Sequence, residues 1–178
     1  MAQVDLTIAG LGGQGSILAG NILGTAAVSY GGKYATQTQA YSSELRGGFA
    51  ATWVIISDNP IVFPRVKTPD ILIAQAQDSI ERFAGSVKPG GLLIIDSDMV
   101  HQVPTEFDTV YAIPGTSIAR NQIKAPITAN IIMLGALCKV SNILERQPFE
   151  DAITNSVPKG KEEMNLEAFN MGFNRVSQ

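Results

Sequence analysis

The chain is poor in the residues that most often announce chemistry. Its 178 residues include one cysteine, Cys138, and one histidine, His101. A single thiol excludes an internal disulfide, a CxxC metal site and a cluster held by this chain's own thiolates. Cys138 falls at helical spacing with Ile131 and Leu134, so it reads as a packed core thiol rather than a nucleophile. His101 lies in a polar stretch with no serine or cysteine elbow near it, and no Ser-His-Asp or Cys-His set can be assembled. Charge is equally scarce: Asp, Glu, Lys and Arg make up 16% of the chain, the formal net charge is −3, and aromatics are 7%. Without a basic cluster, nucleic acid is a poor partner class. No apolar run approaches the roughly 20 residues of a membrane span. No signal peptide is read at the start of the chain, and a cytoplasmic location is the expectation.

What is present points to binding. Hydrophobic residues are 45% of the chain, and so little charge beside them predicts that part of the surface is covered by a partner subunit. The length suits one α/β domain, residues 1–178, with no linker or repeat. The most informative stretch is Gly10-Leu11-Gly12-Gly13-Gln14-Gly15, directly after an apolar strand pattern at residues 4–9. Glycines allow a tight strand-to-helix turn and leave amide N–H groups uncovered at a helix N-terminus, where an anion can be held. A nicotinamide site also wants an acid about 20 residues further on. Here residues 33–40 read KYATQTQA, with no acid, which disfavours a redox dinucleotide.

The second feature is Tyr41-Ser42-Ser43-Glu44-Leu45-Arg46-Gly47-Gly48. A guanidinium at Arg46 can grip phosphate or carboxylate with its planar fork, and Gly47-Gly48 let the backbone lie against a ligand or another chain. A salt bridge to Glu44 is the competing reading. Thr128 reads as an N-cap, and Asn130, in the first turn behind it, is a candidate ligand contact at the C-terminal edge of the sheet. Asp96 and Asp98 at a strand end are explained as well by capping as by metal binding.

Along the chain, strands are expected at residues 4–9, 33–39, 49–57, 71–74, 92–96 and 110–113, with a short edge strand at 61–63. Helices are expected at 15–29, 78–84, 118–122, 128–140, 149–156 and 161–173. Leu18, Ile22 and Ala26 share one helical face, while Gly20 and Gly24, four apart, suggest a close backbone approach on another. Buried strands separated by helices argue for a Rossmann-like α/β fold: a single, doubly wound, largely parallel sheet with helices on both faces.

Taken together, these residues resemble the gamma subunit of 2-oxoacid:ferredoxin oxidoreductases. The resemblance rests on an ordered set: the glycine turn at residues 10–15, Glu44-Leu45-Arg46-Gly47-Gly48 after Tyr41, and Ser57-Asp58 with Pro60-Ile61. It continues through Pro69-Asp70 with Leu72-Ile73, Gly90-Gly91 with Leu93-Ile94 and Asp96, Thr128 with Asn130, and Asn165 with Ala168-Phe169 and Gly172. It implies an enzyme complex that decarboxylates a 2-oxoacid on thiamine diphosphate with Mg, passes electrons through iron–sulfur clusters to ferredoxin, and hands the acyl group to coenzyme A. The thiamine and cluster chemistry would belong to alpha and beta subunits, with a delta chain a further option. This chain would hold no catalytic residue and no metal, and would contribute assembly and coenzyme A binding through Gly12, Gly13, Gln14, Gly15, Arg46, Gly47, Gly48, Thr128 and Asn130.

The 2-oxoacid is read by departure. Pyruvate-type gamma chains resemble Arg-Arg-Gly-Ala-Pro at the Arg46 loop, where this chain has Leu45-Arg46-Gly47-Gly48-Phe49. Indolepyruvate-type chains carry His-Gly-Met before the arginine, where Ala40-Tyr41-Ser42 stands here. The expectation is 2-oxoglutarate, followed by branched-chain 2-oxoacids. The rival from another class is a free-standing nucleotide-binding regulatory module.

Overall fold

A computed structural model describes residues 3–42 and 48–176. Four of the expected strands have the bounds read from the sequence: β3 (Phe49–Ser57), β4 (Ile71–Ala74), β5 (Leu92–Asp96) and β6 (Val110–Ile113). Each is an apolar run closed by turn residues, so its ends are sharply marked. The first strand, β1, is longer than expected (Gln3–Leu11), and β2 spans Tyr34–Tyr41. The helices are α1 (Ser16–Thr25, continued by a π-helical turn, Ala26–Tyr30), α2 (Gln77–Phe83), α3 (Gly115–Asn121), α4 (Ala129–Ser141), α5 (Arg146–Ser156) and α6 (Glu162–Asn174).

The strands form one sheet in the order β2-β3-β1-β4-β5-β6. From β1 through β4 and β5 to β6 all pairings are parallel, whereas β3 runs against both β1 and β2. Five strands therefore share one direction and only β3 is reversed. In a dinucleotide-binding fold the second strand lies parallel beside the first and its tip carries the ribose acid. Here β3 occupies that place, antiparallel, and β2 lies beyond it at the edge. The absent acid thus has a structural reason.

Helices cover both faces, unequally. On one face α1, α3, α4, α5 and α6 enclose the larger core, with Leu6, Ile8, Val54, Ile56, Ile73 and Ile94 pointing in from the strands. On the other, Ile80 and Ala84 cover Leu72, Ala74, Leu93 and Ile95. At the centre of the larger core Phe149 of α5 stacks on Phe169 of α6, ring centroids 5.7 Å apart. The closest approach between helices is that of α4 and α6. A Cβ on Gly135 would fall 2.0 Å from the Phe169 carbonyl oxygen, and one on Gly172 would fall 1.8 Å from the Ile132 carbonyl oxygen. Backbone meets backbone there, which is why both positions carry glycine.

Three local expectations are corrected. Residues 61–63 form no strand: the prolines at 60 and 64 remove donors on either side, and Val62 stands 95% exposed. Gly20 does lie close to a neighbour, since a Cβ would meet Thr52 of β3 at 2.5 Å, but Gly24 faces open space. Leu18, grouped with Ile22 and Ala26, lies at the surface while the other two are buried. No described helix is long and apolar enough to cross a membrane.

Candidate functional site

The glycine turn leaves the C-terminal end of β1 and reaches α1 through two residues in the left-handed region, Gly13 (φ 93°) and Gly15 (φ 78°). Side chains from three elements clamp it. Gln14 folds back so that its Oε1 accepts from the Leu11 amide at 2.6 Å, while its Nε2 donates to the Gln75 carbonyl at 3.0 Å. Gln75, buried just past β4, answers with its Nε2 to the Gln14 carbonyl at 3.2 Å and accepts from Ser16 Oγ at 2.8 Å. Asn130, buried at the start of α4, donates from Nδ2 to the Gly15 carbonyl at 3.0 Å. A Cβ at Gly15 would stand 2.6 Å from that same Nδ2, so glycine is required there by fit as well as by backbone conformation.

Apart from the Leu11 amide and the Ser16 hydroxyl, the clamps engage carbonyls and leave backbone donors open. The amides of Gly13, Gly15 and Ser16 have no hydrogen-bond partner among the described residues, and Gly12 and Gly13 are exposed. A row of open amides at the N-terminus of a ten-residue helix suits an anionic group, because the helix dipole adds to the hydrogen bonds. A Cβ on Gly13 would meet nothing within 4 Å, so the turn is open to an incoming group.

The β2–β3 hairpin ends beside this turn. The Gly12 amide donates to the Gly48 carbonyl at 2.8 Å, and the Ser42 amide donates to the Phe49 carbonyl at 2.9 Å. Arg46 and Gly47 lie outside the described residues, but the two ends of their loop, Ser42 and Gly48, are fixed at the mouth of the glycine turn. The sequence places these two motifs about 30 residues apart, and the hairpin joins them.

Other candidates are occupied by the scaffold. Thr128 precedes α4, yet its hydroxyl does not cap the helix; it donates to the Ala125 carbonyl at 2.8 Å. Its backbone is already helical (φ −84°, ψ 0°), whereas a capping residue is extended, and this corrects the expected side-chain cap. Asp96 and Asp98 tie down the start of α3. Asp96 Oδ2 accepts from the Thr116 amide and hydroxyl at 3.0 and 2.7 Å, and Asp98 Oδ2 accepts from the Ser117 amide at 2.6 Å. Burial raises the Asp96 carboxyl above the usual carboxylate range, an effect the bonds from Thr116 offset only in part. Among the described residues no group of three or more His, Cys, Asp or Glu could hold a metal ion. Cys138 is buried, and burial pushes its thiol up to about 11, as suits a core residue.

The remaining motif residues are staples. Asp70 accepts from the Asp5 amide and from Lys88 Nζ, both at 2.8 Å, binding β1 to the turn before β5. The Ser57 hydroxyl accepts from the Asn59 amide at 3.1 Å, and Asp58 pairs with Lys33, which holds its carboxyl below the usual range. Asn165 Nδ2 donates to the Lys161 carbonyl at 2.8 Å, closing the first turn of α6. Gln75 is the site residue that sequence reasoning passed over. Its signal was a lone polar side chain directly after the apolar run of β4.

Comparison with known proteins bears on what such a turn serves. Residues 5–175 match the family model described as pyruvate ferredoxin/flavodoxin oxidoreductase. The chain is 48% identical over 171 residues to the 2-oxoglutarate synthase subunit KorC of Methanocaldococcus jannaschii, covering 95% of this chain and 91% of that one. Among solved structures it is similar to the gamma subunit of a keto/oxoacid ferredoxin oxidoreductase from Geobacter sulfurreducens PCA. The TM-score is 0.89 at 35% identity, over 98% of this chain and 97% of that one. It also shares its fold with part of the 2-oxoglutarate:ferredoxin oxidoreductase from Magnetococcus marinus, solved with 2-oxoglutarate, coenzyme A and succinyl-CoA bound. There the TM-score is 0.85 at 23% identity, over 98% of this chain but 31% of that longer one.

Proposed function

This chain belongs to the pyruvate ferredoxin/flavodoxin oxidoreductase family, and from that premise we propose that it is the gamma-type subunit of a 2-oxoglutarate:ferredoxin oxidoreductase whose glycine turn holds a phosphate of coenzyme A. Its role is that of one subunit in a multi-subunit oxidoreductase that acts on 2-oxoacids with ferredoxin as acceptor. The choice of 2-oxoglutarate is supported by the 48% identity to a 2-oxoglutarate synthase subunit over nearly the whole length.

The observation that carries the coenzyme A reading is the set of open amides at Gly13, Gly15 and Ser16, at the end of the hairpin loop that contains Arg46. A nucleotide phosphate needs such donors, and the missing ribose acid removes the nicotinamide alternative. Arg46 would supply the counter-charge, with Gly12, Gly47 and Gly48 allowing close backbone approach. Gln14, Asn130 and Thr128 are assigned a supporting part: their polar groups hold the turn and its surroundings from within. Alpha and beta subunits, with a delta chain where present, would carry thiamine diphosphate, Mg and the iron–sulfur clusters. This chain's one buried thiol offers no cluster ligand set.

The test is reconstitution. The purified chain mixed with its companion subunits should restore 2-oxoglutarate-dependent reduction of ferredoxin, and the chain alone should show none. In the assembled enzyme Arg46→Ala should raise the KM for coenzyme A by roughly ten- to a hundredfold, the worth of a lost charged hydrogen bond. The KM for 2-oxoglutarate should change far less. An unchanged coenzyme A KM in a fully assembled complex would refute the phosphate assignment. Turnover on pyruvate or a branched-chain 2-oxoacid instead would refute the substrate.

A further inference from the structure

The two edges of the sheet are built differently. The edge strand β6 is four residues long, whereas β2 at the opposite edge is eight. Natural sheets blunt their edges with short strands, lysine, proline or bulges. The β2 sequence, YATQTQAY, has no charge and no proline, and its register with β3 runs unbroken from Tyr34 opposite Ser57 to Tyr41 opposite Ala50. The Ser42 amide bonds to the Phe49 carbonyl, so the alternation of an antiparallel ladder turns the N–H and C=O groups of Ala35, Gln37, Gln39 and Tyr41 outwards. Those backbone groups have no partner among the described residues.

Among the described residues the same strand is covered on one face only. Its substantial contacts are with β3, α1 and the π-helical turn, which lie against Ala35 and Gln37. Tyr34, Thr36, Thr38 and Ala40 point to the other face, and Tyr34 and Tyr41 are 50% and 60% exposed. Beside the edge, Asn21, Gly24, Thr25, Val28, Ala35 and Gln37 line a hollow without a charged group. From residue 16 to residue 42 the chain carries one charge, Lys33, and that is engaged by Asp58.

We propose that β2 is an assembly edge: a strand from a companion subunit of the oxidoreductase adds to it as the seventh strand, uncharged on the side that meets β2. The proposal rests on the functional reading above. Two observations choose this occupant. The edge and the hollow beside it lack charge, so a partner with a charged strand would lose its hydration with nothing to replace it. The same fold also occurs as 31% of a longer chain, so it is found joined to further polypeptide. Strand addition takes its affinity from main-chain hydrogen bonds, the groups left open here.

Gln39→Pro removes one outward donor and leaves the ladder to β3 intact, because the Gln39 amide points away from it. Gln39→Lys places a charge on the edge, and Gln39→Ala alters only the exposed side chain. Binding of the purified companion subunits to each variant, followed by titration, should weaken by about tenfold or more for Gln39→Pro and Gln39→Lys and stay within about threefold for Gln39→Ala. All three should match the wild type in circular dichroism. In the wild-type complex, hydrogen exchange at the amides of 35, 37, 39 and 41 should slow, with less change at 36 and 38. If the wild type binds and both the proline and lysine variants bind equally well, the edge proposal falls while the functional reading stands. If the wild type fails to bind the companion subunits at all, both fall. An isolated chain that is dimeric by light scattering, and that Gln39→Pro renders monomeric, would make a second copy the occupant and overturn the proposal.

Discussion

Gly172→Ala adds one methyl group to α6, and the structure fixes where that methyl must go. Its Cβ would lie 1.8 Å from the Ile132 carbonyl oxygen, 2.7 Å from the Ile132 carbonyl carbon and 3.0 Å from its Cα. All three are backbone atoms, so no rotamer change can relieve the contact. A C–H···O contact settles at ~3.3–3.6 Å, so α4 and α6 would have to part by about 1.5 Å. Parting them also loosens the Phe149–Phe169 stack that α6 delivers to the core. Overpacking costs 1–3 kcal/mol in ordinary cases, and a backbone clash belongs at the upper end, about 3 kcal/mol. Alanine's helix propensity returns at most about 1 kcal/mol of that. For a chain of this length about 2 kcal/mol net corresponds to a fall in Tm of roughly 4–8 °C. Gly24→Ala is the internal control, because it makes the same chemical change in a helix with nothing within 4 Å of the new methyl. It should stabilise by about 0.5–1 kcal/mol and raise Tm by roughly 1–4 °C. Thermal and urea unfolding of the purified chain, followed by circular dichroism, measure both. Equal or higher stability for Gly172→Ala would show that the two helices do not meet backbone to backbone.

Three further outcomes follow from buried groups. Gln75→Ala strands the Ser16 hydroxyl and the Gln14 carbonyl and should destabilise by about 2–4 kcal/mol, read as a lower urea midpoint at unchanged slope. In the assembled enzyme, the partially loosened turn should also raise the coenzyme A KM. Cys138, with its thiol pushed up to about 11, should resist iodoacetamide at pH 8 in the folded chain and react once urea unfolds it. Asp96 has its pKa raised by burial, so it favours folding when protonated. That contribution is complete below the ordinary aspartate range and is lost as pH rises through the raised folded value. Asp96→Asn should therefore flatten the dependence of stability on pH across this window.

Much of the fold could be read from local pattern because its determinants are local. β3, β4, β5 and β6 are apolar runs between turn residues, and α4 is marked by an almost unbroken apolar run. Strand order is not local. An apolar run closed by a turn marks 49–57 as a strand but does not say that it inserts, reversed, between the first two. The apolar triplet at 61–63 misleads for a related reason: it has the composition of a strand and no neighbour to pair with. At the site, the glycine turn was legible because glycine has few uses in such a spacing. The part played by Gln14 was not, because its meaning depends on Gln75, 61 residues away. Asn130 was placed near the sheet edge from its position in the helix. Its partner, the carbonyl of Gly15, lies across 115 residues of sequence.

The glycine-to-glycine crossing of α4 and α6 also bears on the order in which the molecule can be made. Synthesis delivers the sheet first, and α6 is the last helix described. Phe169 is buried completely, and it reaches Phe149 only after α6 has seated with its Gly172 backbone against Ile132. A growing chain that has produced everything up to α5 therefore presents an apolar trough along α4 and α5 with no lid. Transiently exposed apolar surface of this kind is what makes a partly folded chain prone to aggregation. The closing of that trough is a step separate from the pairing of strands, and it must come after synthesis has passed residue 172.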